Sequence, residues 1–320
     1  MHHNAAKNVL FIDQPHEAIA ARMKLTPDEV KQVLARAKTK MLAARAKRQT
    51  PFVDPAIYSA WNGMMISALL EAHKILDLAG ARDRALMTLD LLLEKAYDPV
   101  KGMAHSLVRI DSGADPTHQS SFEIPVSSFQ FRISSFGFLD DQVFLIAALL
   151  DAYEVTGNRA YFDRALELME TTVRRFWDDK EGGFFDTAKD FEQRQGRLQA
   201  PHKPFQDSPT PAGNPVAALV LDRLAALAER PDFRAKAETI LNLFAGKAGD
   251  FGLFAATYGL ALTHHRRAPV QIVVVGNSGD DRTAGLLKAA QQTARAGKRV
   301  FAFTPEVVKN GNLPAGLAAT

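Results

Sequence analysis

Apolar residues recur along most of this chain with a helical period, and they do so in two alternating patterns. Residues 61–78 (WNGMMISALLEAHKILDL) are apolar around most of the circumference and stop near Gly80. A second helix, 83–96, follows after a short turn. Residues 139–155 (LDDQVFLIAALLDAYEV) are again apolar nearly all round and end at Thr156-Gly157. Residues 159–177 differ. Phe162, Ala165, Leu166, Met169, Val173 and Phe176 share one face, with Asp163, Glu167, Glu170 and Arg174 opposite. The alternation continues with an apolar helix at 214–228, an amphipathic one at 232–246 and one more apolar segment at 251–262. A helix that is apolar all round is covered on both sides, and an amphipathic one on a single side. The pattern therefore predicts two layers, with inner helices around an axis and outer helices shielding them. The outer helix of the first pair is less clean, because Leu86, Leu89, Leu91, Leu92 and Leu93 spread too widely for one stripe.

Leu70-Glu71-Ala72 recurs as Leu150-Asp151-Ala152, and Tyr161 with Ala165 recurs as Phe233 with Ala237, an internal repeat of about 75 residues. The reading is mainly α: a partial toroid of helical hairpins, with a plain solenoid of stacked helix pairs as the other architecture this pattern allows. Three stretches depart from it. Residues 1–55 are a helical lead-in, in which Thr26, Pro27 and Glu29 have the spacing of a capping box with proline at the first helical position. Within the helical body, 56–266, residues 110–135 are rich in Ser, Pro and Phe and are read as an insertion loop with a short hairpin around FQFRI. At 267–320, the β-branched run PVQIVVVG, a helix at 281–295 and KRVFAF predict a small β-α-β element. The closing NLPAGLAAT has no cap or stop signal and is expected to end mid-domain.

Composition narrows the function classes. The 320 residues are 47% hydrophobic, enough for a sizeable core. The net charge is only +3, and the basic run at 31–49 suits the solvated side of one helix, so no nucleic-acid partner is expected. There is no cysteine, which removes disulfides, thiolate metal sites and a cysteine nucleophile. No apolar window is long enough for a membrane span, and MHHNAAKNVLFIDQ lacks the layout of a signal peptide. A cytoplasmic protein is the expectation. No His/Asp/Glu spacing reads as a metal site, and no cofactor is expected.

Chemistry concentrates where the inner helices begin. Each outer helix returns the chain, so the inner N-termini gather at one rim. Their first turns carry Trp61 and Asn62, Asp140 and Asp141, and Asn214. Neighbouring loops add Lys203 and Asp207, and Glu181 and Phe184, with His202 close to Asp207. Carboxylates and aromatic faces suit a sugar or sugar-phosphate ligand, and paired carboxylates can perform acid–base work. Asp140, Asp141 and Asp207 are the catalytic candidates. Trp61, Asn62, Asn214, Lys203, Glu181 and Phe184 are the ligand-binding ones. Helix N-termini lower carboxyl pKa values, so Asp140 and Asp141 are expected to be bases rather than acids. The competing reading is structural: Asp and Asn are favoured helix caps, and Trp61 suits packing. His264 and His265 are expected to face solvent.

The ordered motifs WNGMMISALLEAHKIL, FLDDQVFLIAALLDAYEVTGN, FWDDKEGGFFDTA, SPTPAGNPVAALVLDRLA and PVQIVVVGNSGDDRTAGLL resemble the spermatogenesis-associated, thioredoxin-domain protein family. The likeness covers nearly the whole chain apart from 110–135. It implies an N-terminal thioredoxin-like domain followed by an (α/α)6 barrel of the six-hairpin glycosidase and N-acylglucosamine 2-epimerase type. The thioredoxin-like part and its cysteines are absent here, fewer helices are visible than a closed barrel needs, and Asp54-Pro55 stands where the family carries Asp-Lys before WNG. The chain is accordingly expected to be the C-terminal piece of such a protein, a fragment or a split-gene product. Two functions follow: a carbohydrate-related barrel, isomerase, epimerase or glycoside hydrolase; or a non-catalytic scaffold for a thioredoxin-like partner or the missing N-terminal half.

Overall fold

The computed structural model describes residues 11–49, 53–110, 130–191, 202–277, 279–293, 295 and 297–318. They divide into two compact units, Met1–Asp54 and Pro55–Thr320. In the first, α1 (His16–Met23) ends on Lys24 in the left-handed region and α2 (Pro27–Ala46) begins at Thr26. The expected capping box is formed. Thr26 Oγ1 accepts the Glu29 N–H at 3.2 Å, and the Glu29 carboxylate accepts the Thr26 N–H at 2.7 Å.

The second unit opens with a short strand, β1 (Ala56–Tyr58), that runs directly into α3 (Ser59–Leu76). Then come α4 (Ala79–Ala96), the small hairpin β2 (Tyr97–Asp98) and β3 (Gly102–Met103), and β4 (Ser106–Ile110). Strand β5 (Gln130–Ile133) pairs antiparallel with β4, and β4 with β1, giving a three-stranded sheet in the order β1-β4-β5. The expected hairpin around FQFRI is thus half realised as β5. The rest of that insertion, 111–129, lies outside the described residues.

Two further hairpins follow: α5 (Leu139–Thr156) with α6 (Arg159–Phe176), and α7 (Gly213–Ala228) with α8 (Pro231–Phe244). The predicted seventh apolar helix is broken. Its span holds α9 (Ala248–Phe251), a 3₁₀ turn (Gly252–Ala255) and α10 (Ala256–His265), because Gly252 at φ 51° cannot continue an α-helix. Helices α3, α5, α7 and α10 lie side by side, with α4, α6 and α8 each against its own partner. This is the two-layered arrangement the alternation predicts, an arc of an α/α toroid. Fourteen residues of α5 are buried against five of α3, so α5 is covered all round while α3 keeps an open side. That side carries exposed Trp61, Met65, Ile75 and Leu76.

The chain closes with β6 (Val270–Val275), α11 (Asp281–Gln292) and β7 (Lys298–Phe303), the strands parallel from Val270↔Lys298 to Val275↔Phe303. Two short helices, α12 (Pro305–Lys309) and α13 (Ala315–Ala318), follow. Phe301 packs its ring 5.7 Å from Tyr153 of α5, which docks the β-α-β element on the inner layer. Among the described residues, no helix is long and apolar enough to cross a membrane.

The closest approach of two inner helices depends on a glycine. A methyl group on Gly63 would stand 2.9 Å from the carbonyl carbon and oxygen of Phe144, backbone that cannot step aside. Ala in place of Gly in a free helix stabilises by about 1 kcal/mol. Here the sign reverses: Gly63→Ala is expected to destabilise by about 1–3 kcal/mol through overpacking. Gly80→Ala, with nothing within 4 Å, is expected to be neutral or stabilising. Urea denaturation of the two variants tests the contrast.

Candidate functional site

Neither aspartate at the head of α5 caps its own helix: the cap position is Phe138, with no side-chain hydrogen bond. Asp141 reaches instead to the neighbouring inner helix, where its Oδ1 accepts the Ala60 N–H at 3.1 Å in the first turn of α3. Its Oδ2 lies 3.0 Å from Nδ1 of His105. Gln142 holds the chain beside that histidine. Its Oε1 accepts the Met103 N–H at 2.8 Å, and its Nε2 donates to the carbonyls of Met103 at 3.0 Å and Phe138 at 3.1 Å. Ser59 Oγ donates to the Ala104 carbonyl at 2.6 Å. Residues 103–105 are therefore clamped between α3 and α5, and His105 is presented with its ring 39% exposed while Asp141 is buried. Nδ1 faces Asp141, which leaves Nε2 as the ring nitrogen available to a ligand.

Aromatic rings surround this pair. Tyr58 and Phe138 stand 5.3 and 4.8 Å from the His105 ring, Trp61 lies 4.7 Å from Tyr58, and Phe191 lies 5.3 Å from Phe138. Asp140 faces the start of α7, where a methyl on Gly213 would come within 2.6 Å of its Oδ1. Burial pushes the Asp140 carboxyl up to about 6, helped by the negative charges of Asp141 and Asp186 and opposed by His105. This reverses the expected lowering by the helix N-terminus: desolvation and two like charges outweigh the partial charge of the helix end. The His105 imidazole is raised, chiefly by its hydrogen bond to Asp141. Burial pushes Asp141 up too, while His105 and the Ala60 N–H hold it down. The hydrogen bond between the two thus favours a proton on His105 facing a carboxylate on Asp141, while burial of Asp141 works against the charge.

The other candidates are placed differently. Asp207 is spent on two inner helices: Oδ1 accepts the Ala212 N–H at 2.9 Å and Oδ2 the Thr257 N–H at 2.8 Å, at the heads of α7 and α10. Asn214 is fully buried and accepts the Phe184 N–H at 2.7 Å while donating to the carbonyls of Phe184 and Pro204. Phe184 packs in the core against Trp177, 5.0 Å between rings. Asn214 and Phe184 are thus structural. Asn62 donates to the Tyr58 carbonyl at 2.8 Å. Lys203 forms ion pairs with Asp178 at 2.7 Å and Glu181 at 3.1 Å and lies over the Phe185 ring, lining a separate open cavity with Glu181. His202 pairs with Asp186 at 3.1 Å rather than with Asp207. His265 does not face solvent but pairs with Asp222 at 3.0 Å, and His264 is half-buried. The structure therefore brings Asp140, Asp141 and Trp61 into one neighbourhood and leaves Lys203 and Glu181 in another. His105 is the residue that sequence reasoning missed. It sits in the turn MAHSL, with no motif to mark it. Among the described residues, no three His, Asp or Glu side chains stand where they could share a metal ion.

No family model matches the chain. Human spermatogenesis-associated protein 20 is 28% identical over 286 residues, covering 89% of this chain and 34% of its own length. The chain is thus similar to spermatogenesis-associated protein 20 along most of its own length. The rat protein of that name is 26% identical over 282 residues, covering 88% of this chain and 34% of its own length. The chain thus spans about a third of the length of the curated relatives it matches. Among solved structures, a GH76 α-mannanase from Bacteroides thetaiotaomicron overlaps 68% of this chain and 53% of its own at TM-score 0.44 and 12% identity. A cellobiose 2-epimerase from Spirochaeta thermophila overlaps 61% of this chain and 44% of its own at TM-score 0.42 and 16% identity.

The raised carboxyl sets a pH dependence. A folded-state value of about 6, above the unfolded one, means that Asp140 favours the fold at low pH. That contribution is lost as pH rises through the folded-state value. Asp140→Asn is therefore expected to raise the urea midpoint at about pH 7.5 and to leave it nearly unchanged at about pH 4. Asn214→Ala strands the Phe184 N–H and is expected to cost about 1–3 kcal/mol at either pH, read by the same titrations.

Proposed function

We propose that the rim around Asp140, Asp141 and His105 binds a polyhydroxylated, sugar-like ligand and moves a proton on it beside a carbonyl, the chemistry of an isomerase or epimerase. The observation that carries this reading is a matched pair of titrating groups in one place. Asp140, with its carboxyl at about 6, is ionised at neutral pH and is a stronger base than an ordinary aspartate. His105, whose hydrogen bond to Asp141 holds its proton to higher pH than an ordinary imidazole, is the acid. Asp141 is a positioning residue, which fixes the imidazole and keeps it charged. Exposed Trp61, held against Tyr58, offers a flat face on which a sugar ring can stack. Proton transfer of this kind needs no cofactor, and a cysteine-free chain suits the cytoplasm.

Glycoside hydrolysis is less well supported, because it uses two working carboxyl groups. Asp141 is committed to Ala60 and His105, and Asp186 to His202. A scaffold reading has its own support in the uncovered apolar side of α3 and in the fraction of its relatives that the chain spans. There the arc would hold a thioredoxin-like partner and turn over nothing.

The test is exchange of the sugar C–H next to the carbonyl into D₂O, followed by NMR over a panel of aldoses and ketoses. The expected rate rises as pH passes about 6 and falls again when His105 loses its proton. Asp140→Asn and His105→Gln are each expected to lower it by about 10²–10⁴-fold. Trp61→Ala is expected to raise KM more than it lowers kcat. Absence of exchange for every sugar, with no ligand-induced rise in Tm, would leave the scaffold reading in place.

A further inference from the structure

A second charged region lies towards the other end of the inner helices, far along α5 and α7 from the rim. Asp151 and Glu154 of α5 are buried there. Arg223 of α7 donates to Asp151 at 2.7 Å, and Lys74 of α3 pairs with Glu71 at 2.6 Å and Glu154 at 3.2 Å. The Val300 N–H donates to Glu154 Oε1 at 3.1 Å, tying β7 to the same carboxylate. Arg299 enters from β7 beside Glu154 Oε2, the oxygen of that carboxylate left without a hydrogen bond among the described residues. Its Nη1 is 3.8 Å from Glu154 Oε2, beyond hydrogen-bond reach, and no hydrogen bond to its guanidinium is formed among the described residues. The Arg299 side chain is 25% exposed, so these unused donors are open to a ligand arriving from solvent.

Those donors face a small cavity of about 60 Å³, open to solvent, whose wall also holds Arg223, Arg234, His264 and Arg267. Asp222 is the one carboxylate in that wall, and it is held by His265 at 3.0 Å with Arg234 at 3.7 Å. Arg267 makes no ion pair or side-chain hydrogen bond among the described residues. Positive charge therefore exceeds negative on this wall. Its effect is visible within the site, since Arg223 depresses the Arg299 pKa and both arginines depress that of His264, whose largest cause is burial. Cations at helix C-termini are expected from the helix dipole alone. The dipole accounts for Arg267, which directly follows the C-cap of α10, but not for Arg299, which is on a strand.

We propose that this cavity binds the phosphate group of a small phosphorylated molecule, through Arg299, Arg223 and Arg267. The donors come from three separate elements: a strand, an inner helix and the segment after α10. A phosphate monoester presents three oxygens in three directions and can meet them all, whereas a carboxylate presents two in one plane and is served by a single arginine fork. The apolar side chains of Leu150, Leu219 and Phe301 in the same wall exclude water and strengthen the charge–charge attraction. The site is distinct from the rim and does not depend on the reading given to Asp140 and His105.

The test is calorimetric titration of the full chain with inorganic phosphate at constant ionic strength, with phenyl phosphate and malonate as competitors. Saturable phosphate binding is expected, displaced by phenyl phosphate and not by malonate. Arg299→Gln and Arg267→Gln are each expected to weaken it about tenfold, the loss of one charged hydrogen-bond partner. Because Arg299 is half-buried beside Glu154, its variant is read beside Arg267→Gln, whose side chain is exposed and whose fold is checked by circular dichroism. Asp140→Asn is expected to bind phosphate as the parent does. Absence of saturable binding, preference for malonate, unchanged affinity in Arg267→Gln, or loss of binding in Asp140→Asn would each overturn the proposal.

Discussion

The carboxylate of Asp141 is the junction on which the candidate site depends. One oxygen closes the head of α3, and the other orients His105. A single buried charge thereby joins two inner helices and the segment between β3 and β4. Its cost in desolvation is opposed by one backbone N–H and one imidazole, the two partners that favour its charged form in the interior. Asp207 repeats the device further round the arc, joining the heads of α7 and α10. The inner helices are thus stitched at their N-termini by side chains from neighbouring segments, and each stitch satisfies donors that a helix end leaves open.

The two ends of the inner layer differ in kind. At the N-terminal rim, acidic and aromatic groups surround one histidine, and titration near neutrality is the outcome. Further along, the buried carboxylates of α5 are paired with cations from neighbouring elements, and the cavity wall beside them carries four arginines to one carboxylate. The β-α-β element contributes only to the second. It docks on α5 through Phe301 and Val300, so Arg299 is delivered by the same contacts that hold the element in place.

Much of the layering was legible in the sequence, because burial on two sides or one writes itself into helical periodicity. The capping box at Thr26 and the β-branched run before Gly276 were equally direct. Strands β1 and β4 were not, since three to five residues carry too little alternation to register. The site was harder. Asp140 and Asp141 stood out as a pair, yet their partners lie far along the chain, so their environment could not be read locally. Asp140 illustrates the consequence: its position at a helix head suggests a lowered pKa, and only the packing of α7 and the charges of Asp141 and Asp186 reverse the direction. His105 had no motif, and Asn214 and Phe184 looked like rim residues because sequence position does not reveal which way a side chain turns.

Asp140 also has a bearing on how this chain can change. At neutral pH its ionised carboxyl works against the fold that surrounds it, whereas an amide of the same shape would not. Random substitution and selection for a sturdier protein would therefore tend to erase the acid at this position. A lineage that keeps it retains an internal handicap, and that tension marks the position as one where durability and proton chemistry pull in opposite directions.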